Sequence, residues 1–451
     1  MKKAGIIVAI VALVYLLASF ALGFVIQSRM TINPDDLRAK APYFTVKSQT
    51  FDHGLFHSSE TTVIAFSLAA VMPPGTPKVG NMGFELTLKN RITHGPLCGL
   101  KCFGIAKIDT TVELPPLAQA ILNKTYGDEP WLSLVTRLDF LGGSVTDVSS
   151  PPVADAKTGP THFSSEGLTA TARVSGHANE VSVDGSLPRV VFSNTNGGRF
   201  DLQALTFKSV ARQVMPELYA TDFDIGIERL DVAGAKPGST VTIQKLSYGA
   251  TSPVSAGFED TILKFDSGDI AAPAVNFKAI HFDLTLRHLK LEALQALNKA
   301  SQDYNLHLQG ASQSDRQEML AKLKEPILAL LAAGAQINLD RIGFETQGGN
   351  ALVSGTLHFS NLTDADFTGE NPWKNAFAKA DADLQVSIDD GAVAALPGQG
   401  AADQLQKYAD QGVLTHANGK WSTTLHMAGG NFTANGKPVA PPTTAPVPAA
   451  R

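Results

Sequence analysis

Two His-Gly pairs are the residues of this chain that could most readily take part in acid–base chemistry. The first pair, His53-Gly54, lies in FDHGLF, and the second, His94-Gly95, lies in ITHGPL. Two imidazoles brought together, with Asp52 orienting one ring, could act as general acid and general base. The sequence around them supplies neither a nucleophile nor a Gly-rich substrate loop. Catalysis is therefore the alternative rather than the leading interpretation.

A structural role of the two pairs is the favoured interpretation. Gly54 and Gly95 permit the positive φ of a bulge or tight turn where a strand begins or ends. Phe56 would anchor the first turn in the core, and Pro96 follows the second pair directly. Each histidine could then hydrogen-bond an unpaired backbone neighbour.

The two cysteines, Cys98 and Cys102, lie in CGLKC close behind the second pair. Spaced four apart, they do not match the CxxC motif of thioredoxin-like sites. With His94 they could form a three-ligand metal set on a helix, but Gly95 and Pro96 argue against a helix there. A turn at Gly99 would bring them within bridging distance, so a disulfide in an oxidising compartment is predicted.

No other motif with a known chemistry is present. GxSxG, GxxxxGK[ST] and HExxH are all missing from the sequence. Pairs of aspartates spaced to share one side of a strand could hold a hard cation, but Ca²⁺ needs six to eight oxygen ligands. These pairs are Asp222/Asp224, Asp364/Asp366 and Asp381/Asp383. They are interpreted as solvated strand faces, and no metal or cofactor is predicted.

Composition excludes several classes of protein. Of 451 residues, 44% are apolar and only 18% are charged, which favours folded cores over disorder. A net charge of −5, with no long run of Lys or Arg, argues against a nucleic-acid partner.

The N-terminal run Ala4–Ile26 contains no charged residue. As a helix it is long enough to cross the ~30 Å hydrocarbon core of a bilayer. Lys2 and Lys3 precede it and Arg29 alone follows closely, so a cytoplasmic N-terminus is favoured. A cleavable signal peptide, cut after Ser19-Phe20-Ala21, is the alternative. The prediction is a single-pass protein of the bacterial inner membrane, bound through residues 4–26, with a periplasmic body.

The elements that must position these residues are mainly strands. Short runs rich in Val, Ile, Thr and Phe predict strands bounded by Gly, Pro, Asn or Asp. They are Thr61 to Phe66, Gly83 to Leu88, Ile108 to Leu114, Leu168 to Val174, Glu180 to Val183 and Phe223 to Leu230. Four helices are also predicted: one ending at Gly127, one carrying Leu291, Leu294 and Leu297, one capped by Ser314 and kinked or restarted at Pro326, and a short one in AADQLQKYADQG before a terminal hairpin.

The predicted fold class is α+β, dominated by curved antiparallel sheets, with a few packed helices and one N-terminal transmembrane helix. Four segments are expected: an anchor over residues 1–30, a β-rich segment over 31–160, a second β-rich segment over 161–439 and a disordered Pro/Ala/Thr-rich tail over 440–451. The boundary is placed in SSPPVADAKTGP, Ser149 to Pro160.

Several stretches resemble, in order, the YdgA-like family of bacterial envelope proteins, which carries a domain of unknown function. They are FDHGLF, ITHGPL, FDLTLRHLKLEALQALN, PILALLAAGAQINLDRIGFETQGGNALVSGTLHF and GNFTANGKPV. The resemblance implies an envelope location and a fold class, and it implies no reaction.

The predicted function is that of a membrane-tethered, non-enzymatic periplasmic envelope protein. Its β surface would bind acyl chains of lipid or an envelope protein partner. The alternative is a periplasmic hydrolase that uses His53 or His94 as its acid or base.

Overall fold

The computed structural model describes most of the chain between residues 15 and 439. The described residues are 15, 18–41, 43–67, 83–98, 103–127, 129–234, 236, 238–307, 313–360, 362–367, 375, 378–396 and 400–439. Most of the predicted anchor, Cys102 and the predicted disordered tail therefore lie outside the described residues.

Helices in the described part of the chain are few. They are α1 (residues 18–30), α2 (Pro34–Lys40), α3 (Pro116–Tyr126), α4 (Leu291–His307), α5 (Gln313–Ala332), α6 (Asp390–Ala395) and α7 (Ala401–Asp410). Among the described residues, no helix is both long enough and apolar enough to cross a membrane.

Strands form most of the fold. The first ten are β1 (Phe44–Asp52), β2 (His57–Ser67), β3 (Gly83–His94), β4 (Ala106–Glu113), β5 (Ser133–Leu138), β6 (Ser144–Ser149), β7 (Val153–Thr158), β8 (Thr161–Ser165), β9 (Thr169–Val174) and β10 (Glu180–Asn194). The next eight are β11 (Arg199–Met215), β12 (Leu218–Ala233), β13 (Val241–Thr251), β14 (Val254–Ser255), β15 (Phe258–Ser267), β16 (Ile270–Ala272), β17 (Val275–Phe277) and β18 (Ala279–Lys290). The last seven are β19 (Gln336–Glu345), β20 (Asn350–Phe359), β21 (Ala380–Asp389), β22 (Thr415–Ala417), β23 (Lys420–Ala428), β24 (Asn431–Ala434) and β25 (Lys437–Pro438).

The predicted β-rich, antiparallel α+β class is confirmed. Strand accounts for 55% of the structure and helix for 23%. Paired strands run antiparallel in both parts of the fold, for example β2 with β3 and β20 with β21. Four of the predicted strands fall within β2, β3, β10 and β12, and the other two match β4 and β9 but extend one residue beyond them, at Leu114 and Leu168.

Details of three predicted elements differ from the structure. The strand predicted over Glu180 to Val183 continues to Asn194, because residues 190–194 pair with β8. Ser314 lies inside α5 and does not cap it, since the helix already begins at Gln313. Pro326 also lies within this single helix and does not start a second one.

The chain divides into two compact units that alternate along the sequence. The first comprises residues 1–196, 203–213 and 298–321, and the second comprises 197–202, 214–297 and 322–451. The boundary segment Ser149 to Pro160 lies within the first unit, where it includes β7. The four-segment division made from composition stays a prediction.

The first unit contains a sheet in which β1, β2, β3, β4, β5, β6, β9 and β10 are neighbours in that order, and in which a further part of β10 pairs with β8 and β8 pairs with β7. One face of this sheet carries apolar residues such as Ile92 and Ile108, and the other carries ion pairs such as Arg137–Asp147 at 2.7 Å. Directly paired residues of antiparallel strands point to the same side, so this division into faces continues from strand to strand.

The second unit contains a sheet with the order β12-β13-β15-β18-β19-β20-β21-β23. Helices α4 and α5 cover one end of it, where Ala293, Leu330 and Ala335 form a buried cluster against Leu289. Helices α6 and α7 cover another end, where Val393, Leu414 and Trp421 are buried.

Candidate functional site: a helix seat and an apolar sheet face

Both His-Gly pairs lie in turns at one edge of the first sheet. The β1–β2 turn holds His53 and the β3–β4 connection begins after His94, and these hairpins end at the same side. The backbone N–H of His94 donates to the carbonyl of Phe56 at 3.0 Å. The ring centroids of His53 and His94 are 5.9 Å apart. The structure therefore brings the two pairs together. We call the side of the sheet that carries the β1–β2, β3–β4 and β5–β6 turns, against which α1 packs, the seat edge.

Helix α1 lies over these turns and over the apolar side of the first sheet next to them. Its buried residues Ser19, Gly23 and Ile26 recur at the spacing of one helix face. Ile26 is fully buried against Ile92, Ile105, Ala106 and Ile108 of the sheet. The end of the uncharged N-terminal run is thus part of the core of the first unit.

His53 is enclosed by aromatic rings of α1. Its ring stacks on Phe24 with centroids 4.2 Å apart and meets Phe20 edge-on at 5.1 Å. A Cβ atom added at Gly23 would lie 2.4 Å from His53 Nε2. Glycine in the middle of α1 is therefore explained by the close approach of this ring. Within the described residues, His53 Nε2 has no hydrogen-bond partner.

His94 is fixed by two hydrogen bonds and is 1% exposed. Its Nδ1 lies 2.8 Å from the carbonyl oxygen of Ser19, and its Nε2 lies 3.1 Å from Ser58 Oγ. A carbonyl oxygen only accepts hydrogen bonds, so Nδ1 carries the proton. The ring is then neutral, and its Nε2 accepts a hydrogen bond from the Ser58 hydroxyl. Ser58 Oγ in turn accepts the Gly54 N–H at 3.4 Å. This chain of bonds joins both His-Gly pairs to α1.

Burial lowers the pKa of His94 below its ordinary value. The carbonyl of Ser19 opposes this effect, while the nearby His53 and His57 add to it. Desolvation disfavours the charged imidazolium, so the neutral ring is the form that α1 requires.

The two glycines serve different purposes. Gly95 has a φ of 111°, the positive φ that a tight turn requires, and a Cβ there would also lie 2.3 Å from Ser19 Oγ. Gly54 does not adopt a positive φ, so that explanation is wrong for it. A Cβ at Gly54 would instead lie 2.3 Å from the carbonyl oxygen of His57.

The remaining predicted motif residues also lie at the seat edge. Phe56 stacks on Tyr15 with centroids 6.2 Å apart, and the carbonyl of Pro96 accepts the Gly104 N–H at 3.2 Å. Cys98 is buried and disulfide-bonded. Cys102 lies outside the described residues, so the Cys98–Cys102 pairing stays a prediction.

A buried carboxylate at the other end of α1 is a feature that sequence reasoning missed. Glu60 is 2% exposed and accepts hydrogen bonds from Gln49, Thr62 and Asn90. Gln49 Nε2 also donates to the carbonyl of Met30 at 2.8 Å, at the last turn of α1. The alternation of β2, in which Ser58, Glu60 and Thr62 share the inward face, was the available signal.

One contact in the structure favours the catalytic alternative, and the burial of the two side chains that make it argues against substrate access. Ser58 provides His94 with a hydroxyl neighbour that could serve as a nucleophile. Both side chains are buried beneath α1, since Ser58 is 5% exposed. In the described part of the chain, neither His53 nor His94 is hydrogen-bonded to a carboxylate.

The second unit presents a broad apolar sheet face. One row of directly paired residues crosses seven neighbouring strands: Ile225, Tyr248, Phe265, Phe282, Ile342, Val353 and Val386. The adjacent row consists of Phe223, Ala250, Leu263, Leu284, Leu339, Gly355, Leu384 and Leu425. No member of the first row is buried. We call these two rows the apolar face.

The opposite face of the same sheet is polar. Arg341 forms ion pairs with Asp283 and Asp266, each at 2.9 Å. Further along, ligand atoms of Asp381, Asp383 and His426 lie within 4.8 Å of one another. Three such atoms could hold a divalent cation, but they are fewer than the six to eight that Ca²⁺ requires.

The fold and its site define a β-rich protein whose N-terminal apolar helix is built into an antiparallel sheet. The family described as bacterial protein of unknown function (DUF945) matches residues 1–442. The chain belongs to this family, and the resemblance to its YdgA-like members is confirmed. No curated protein and no solved structure matches the chain.

Proposed function

We propose that this chain is a membrane-tethered periplasmic envelope protein, not an enzyme, whose curved second sheet binds acyl chains of lipids. The tether is the uncharged run Ala4–Ile26, with Lys2 and Lys3 on the cytoplasmic side. The observation that carries the lipid-binding part is the apolar face of the second unit.

The apolar face is wide and remains in contact with solvent. Phe282 is 40% exposed, Tyr248 42% and Ile225 38%, although each is flanked by apolar partners on neighbouring strands. Soluble proteins rarely leave a contiguous apolar surface of this kind without a binding role. Helices cover the ends of the sheet near Leu289 and Trp421 and leave the middle rows open.

Acyl chains fit this surface chemically. Aligned rows of Leu, Ile, Val and Phe offer apolar contact along their length without hydrogen-bonding groups. Each buried methylene contributes about 0.8 kcal/mol, so burial of part of one acyl chain can offset the entropy that the chain loses on binding.

The test compares two aspartate substitutions of matched exposure on opposite faces. Phe282→Asp places a charge on the apolar face, and Leu352→Asp places one on the polar face at 39% exposure. Each full-length variant is purified from membranes in mild detergent, and bound lipid is measured by native mass spectrometry. We expect Phe282→Asp to lose most of the copurifying lipid and Leu352→Asp to keep it.

Four outcomes would contradict the proposal. Lipid absent from the unsubstituted chain, or equal in both variants, would argue against the apolar face as its site. A stoichiometric protein in place of lipid would favour a protein partner. Turnover of a model ester that depends on His53 or His94 would favour the hydrolase.

A further inference from the structure

Exposed apolar side chains cluster at the seat edge of the first sheet. They lie in the three consecutive turns that close β1–β2, β3–β4 and β5–β6. Their exposed fractions are 46% for Leu55, 39% for Leu97, 79% for Phe103, 45% for Phe140 and 82% for Leu141. Large apolar side chains at the tips of adjacent turns are unfavourable in water and mark a contact surface.

Direct contacts make these turns one surface. The rings of Phe103 and Phe140 meet with centroids 5.2 Å apart. The backbone N–H of Ile105 donates to the carbonyl of Leu138 at 2.8 Å, which joins the second turn to the third. The bond from His94 to Phe56 already described joins the first turn to the second.

Few charges lie on this surface; one is the guanidinium of Arg29, whose Nη atoms would lie 3.4 Å from a Cβ at Gly142. In the described parts of the three turns, residues 53–56, 95–98, 103–105 and 139–143, Asp139 is the one carboxylate. Its Oδ1 accepts the N–H groups of Leu141 and Gly143 at 2.8 and 2.9 Å. These bonds hold the carboxylate against its own turn and leave Phe140 and Leu141 at the tip.

The length of the N-terminal run indicates what covers the surface. Ser19 and Ile26 are fully buried within the first unit, so one face of this stretch of the run is occupied by protein contacts, while Phe20 and Phe24 on its other side are 44% and 51% exposed. Even a continuous helix over the remaining residues 4–18 would be only about 22 Å long. The hydrocarbon core of a bilayer is ~30 Å thick. The run enters the fold at the seat edge, beside Gly95.

We propose that the seat edge is a second membrane contact, with Leu55, Phe103, Phe140 and Leu141 immersed in the outer face of the bilayer. Immersion of these turns, with slight thinning of the bilayer, makes up the missing length of the helix. This inference rests on the proposed tether, and it adds a lipid-facing surface that fixes the orientation of the first unit.

The test places a tryptophan at either edge of the sheet. Leu141→Trp reports on the seat edge. Leu117→Trp is the matched control, because Leu117 is 81% exposed in α3, at the far end of β4, about 25 Å away. Full-length variants are reconstituted in phosphatidylethanolamine–phosphatidylglycerol vesicles containing lipids brominated along the acyl chain. Quenching is measured as the excess over the unsubstituted chain, which has three tryptophans.

We expect the added emission of Leu141→Trp to be quenched and that of Leu117→Trp to be unaffected. Flotation of the vesicles is checked in parallel. A chain that floats while Leu141→Trp escapes quenching would overturn the inference and leave the tether intact, as would equal quenching of both variants. A chain that does not float would overturn the tether, and the immersed edge with it.

Discussion

At the scale of residues, the hydrogen bonds of His94 hold α1 against the first sheet. Two buried serines near His94 provide a direct comparison, because Ser58 Oγ is bonded to the ring and Ser19 Oγ has no partner among the described residues. Ser58→Ala removes the bond and leaves His94 Nε2 unsatisfied, so we expect a loss of about 1–2 kcal/mol in the free energy of unfolding.

Ser19→Ala is the matched control for that substitution. It removes an unsatisfied buried hydroxyl and leaves the Ser19 carbonyl that accepts from His94. We expect a change within about 0.5 kcal/mol, or a small gain. Urea unfolding of both variants measures the difference, and equal losses would contradict the assigned hydrogen bonds.

The lowered pKa of His94 predicts a pH dependence of stability. Below the ordinary histidine pKa of about 6.5, the unfolded chain binds a proton at this residue that the folded chain does not. The free energy of unfolding should therefore fall as the pH drops from about 6.5 toward the lowered pKa.

His94→Asn keeps a donor for the Ser19 carbonyl and does not titrate. We expect its unfolding midpoint in urea to change less between pH 7.5 and 5.5 than that of the unsubstituted chain. An unchanged slope would show that another group carries the dependence.

At the scale of elements, the close approach of α1 to the first turn gives the sharpest prediction. Gly23→Ala would normally stabilise a helix by about 1 kcal/mol. Here its Cβ would lie 2.4 Å from His53 Nε2, and the ring is confined by Phe20 and Phe24. We expect the clash to prevail and the variant to lose about 1–3 kcal/mol.

Removal of the ring should reverse that effect. In a His53→Ala background, Gly23→Ala should become neutral or stabilising, because the helix propensity of alanine then acts alone. A double-mutant cycle from thermal unfolding measures the coupling. A coupling near zero would mean that α1 does not contact His53 in solution.

Local patterns predicted most elements but only part of the site. The run Thr61 to Phe66 and the end of α3 at Gly127 are local patterns, and the structure confirms both. The contact of α1 with the seat edge could not be derived from the sequence, because Ser19, Ser58 and His94 meet only when distant segments of the chain pair in the correct register. Glu60 shares the inward face of β2 with Ser58 and Thr62, and its burial depends on contacts from Gln49 and Asn90 of the neighbouring strands. The register also assembles the apolar face, which no single segment reveals.

At the scale of the whole molecule, the interleaving of the two units predicts how truncation acts. The first unit takes residues 203–213 and 298–321 from beyond its main segment. A fragment that ends at Asn196 lacks these parts, so its first unit is incomplete. We expect this fragment to unfold at lower temperature than the full chain and to bind a hydrophobic dye. A fragment as stable as the full chain would contradict the division.

The burial of Ser19 also bears on protein export. The small-x-small sequence Ser19-Phe20-Ala21 that a signal peptidase could recognise is the segment whose backbone accepts from His94. Cleavage after Ala21 would remove this acceptor and part of the covering helix, leaving the ring on an open turn. Under the proposed export to the periplasm, cleavage and folding would therefore compete for the same residues. Under the proposed export, a chain cut at this site before the sheet closes on α1 would lack the bond to His94, whereas a chain that folds first buries Ser19 in the first unit and keeps that bond.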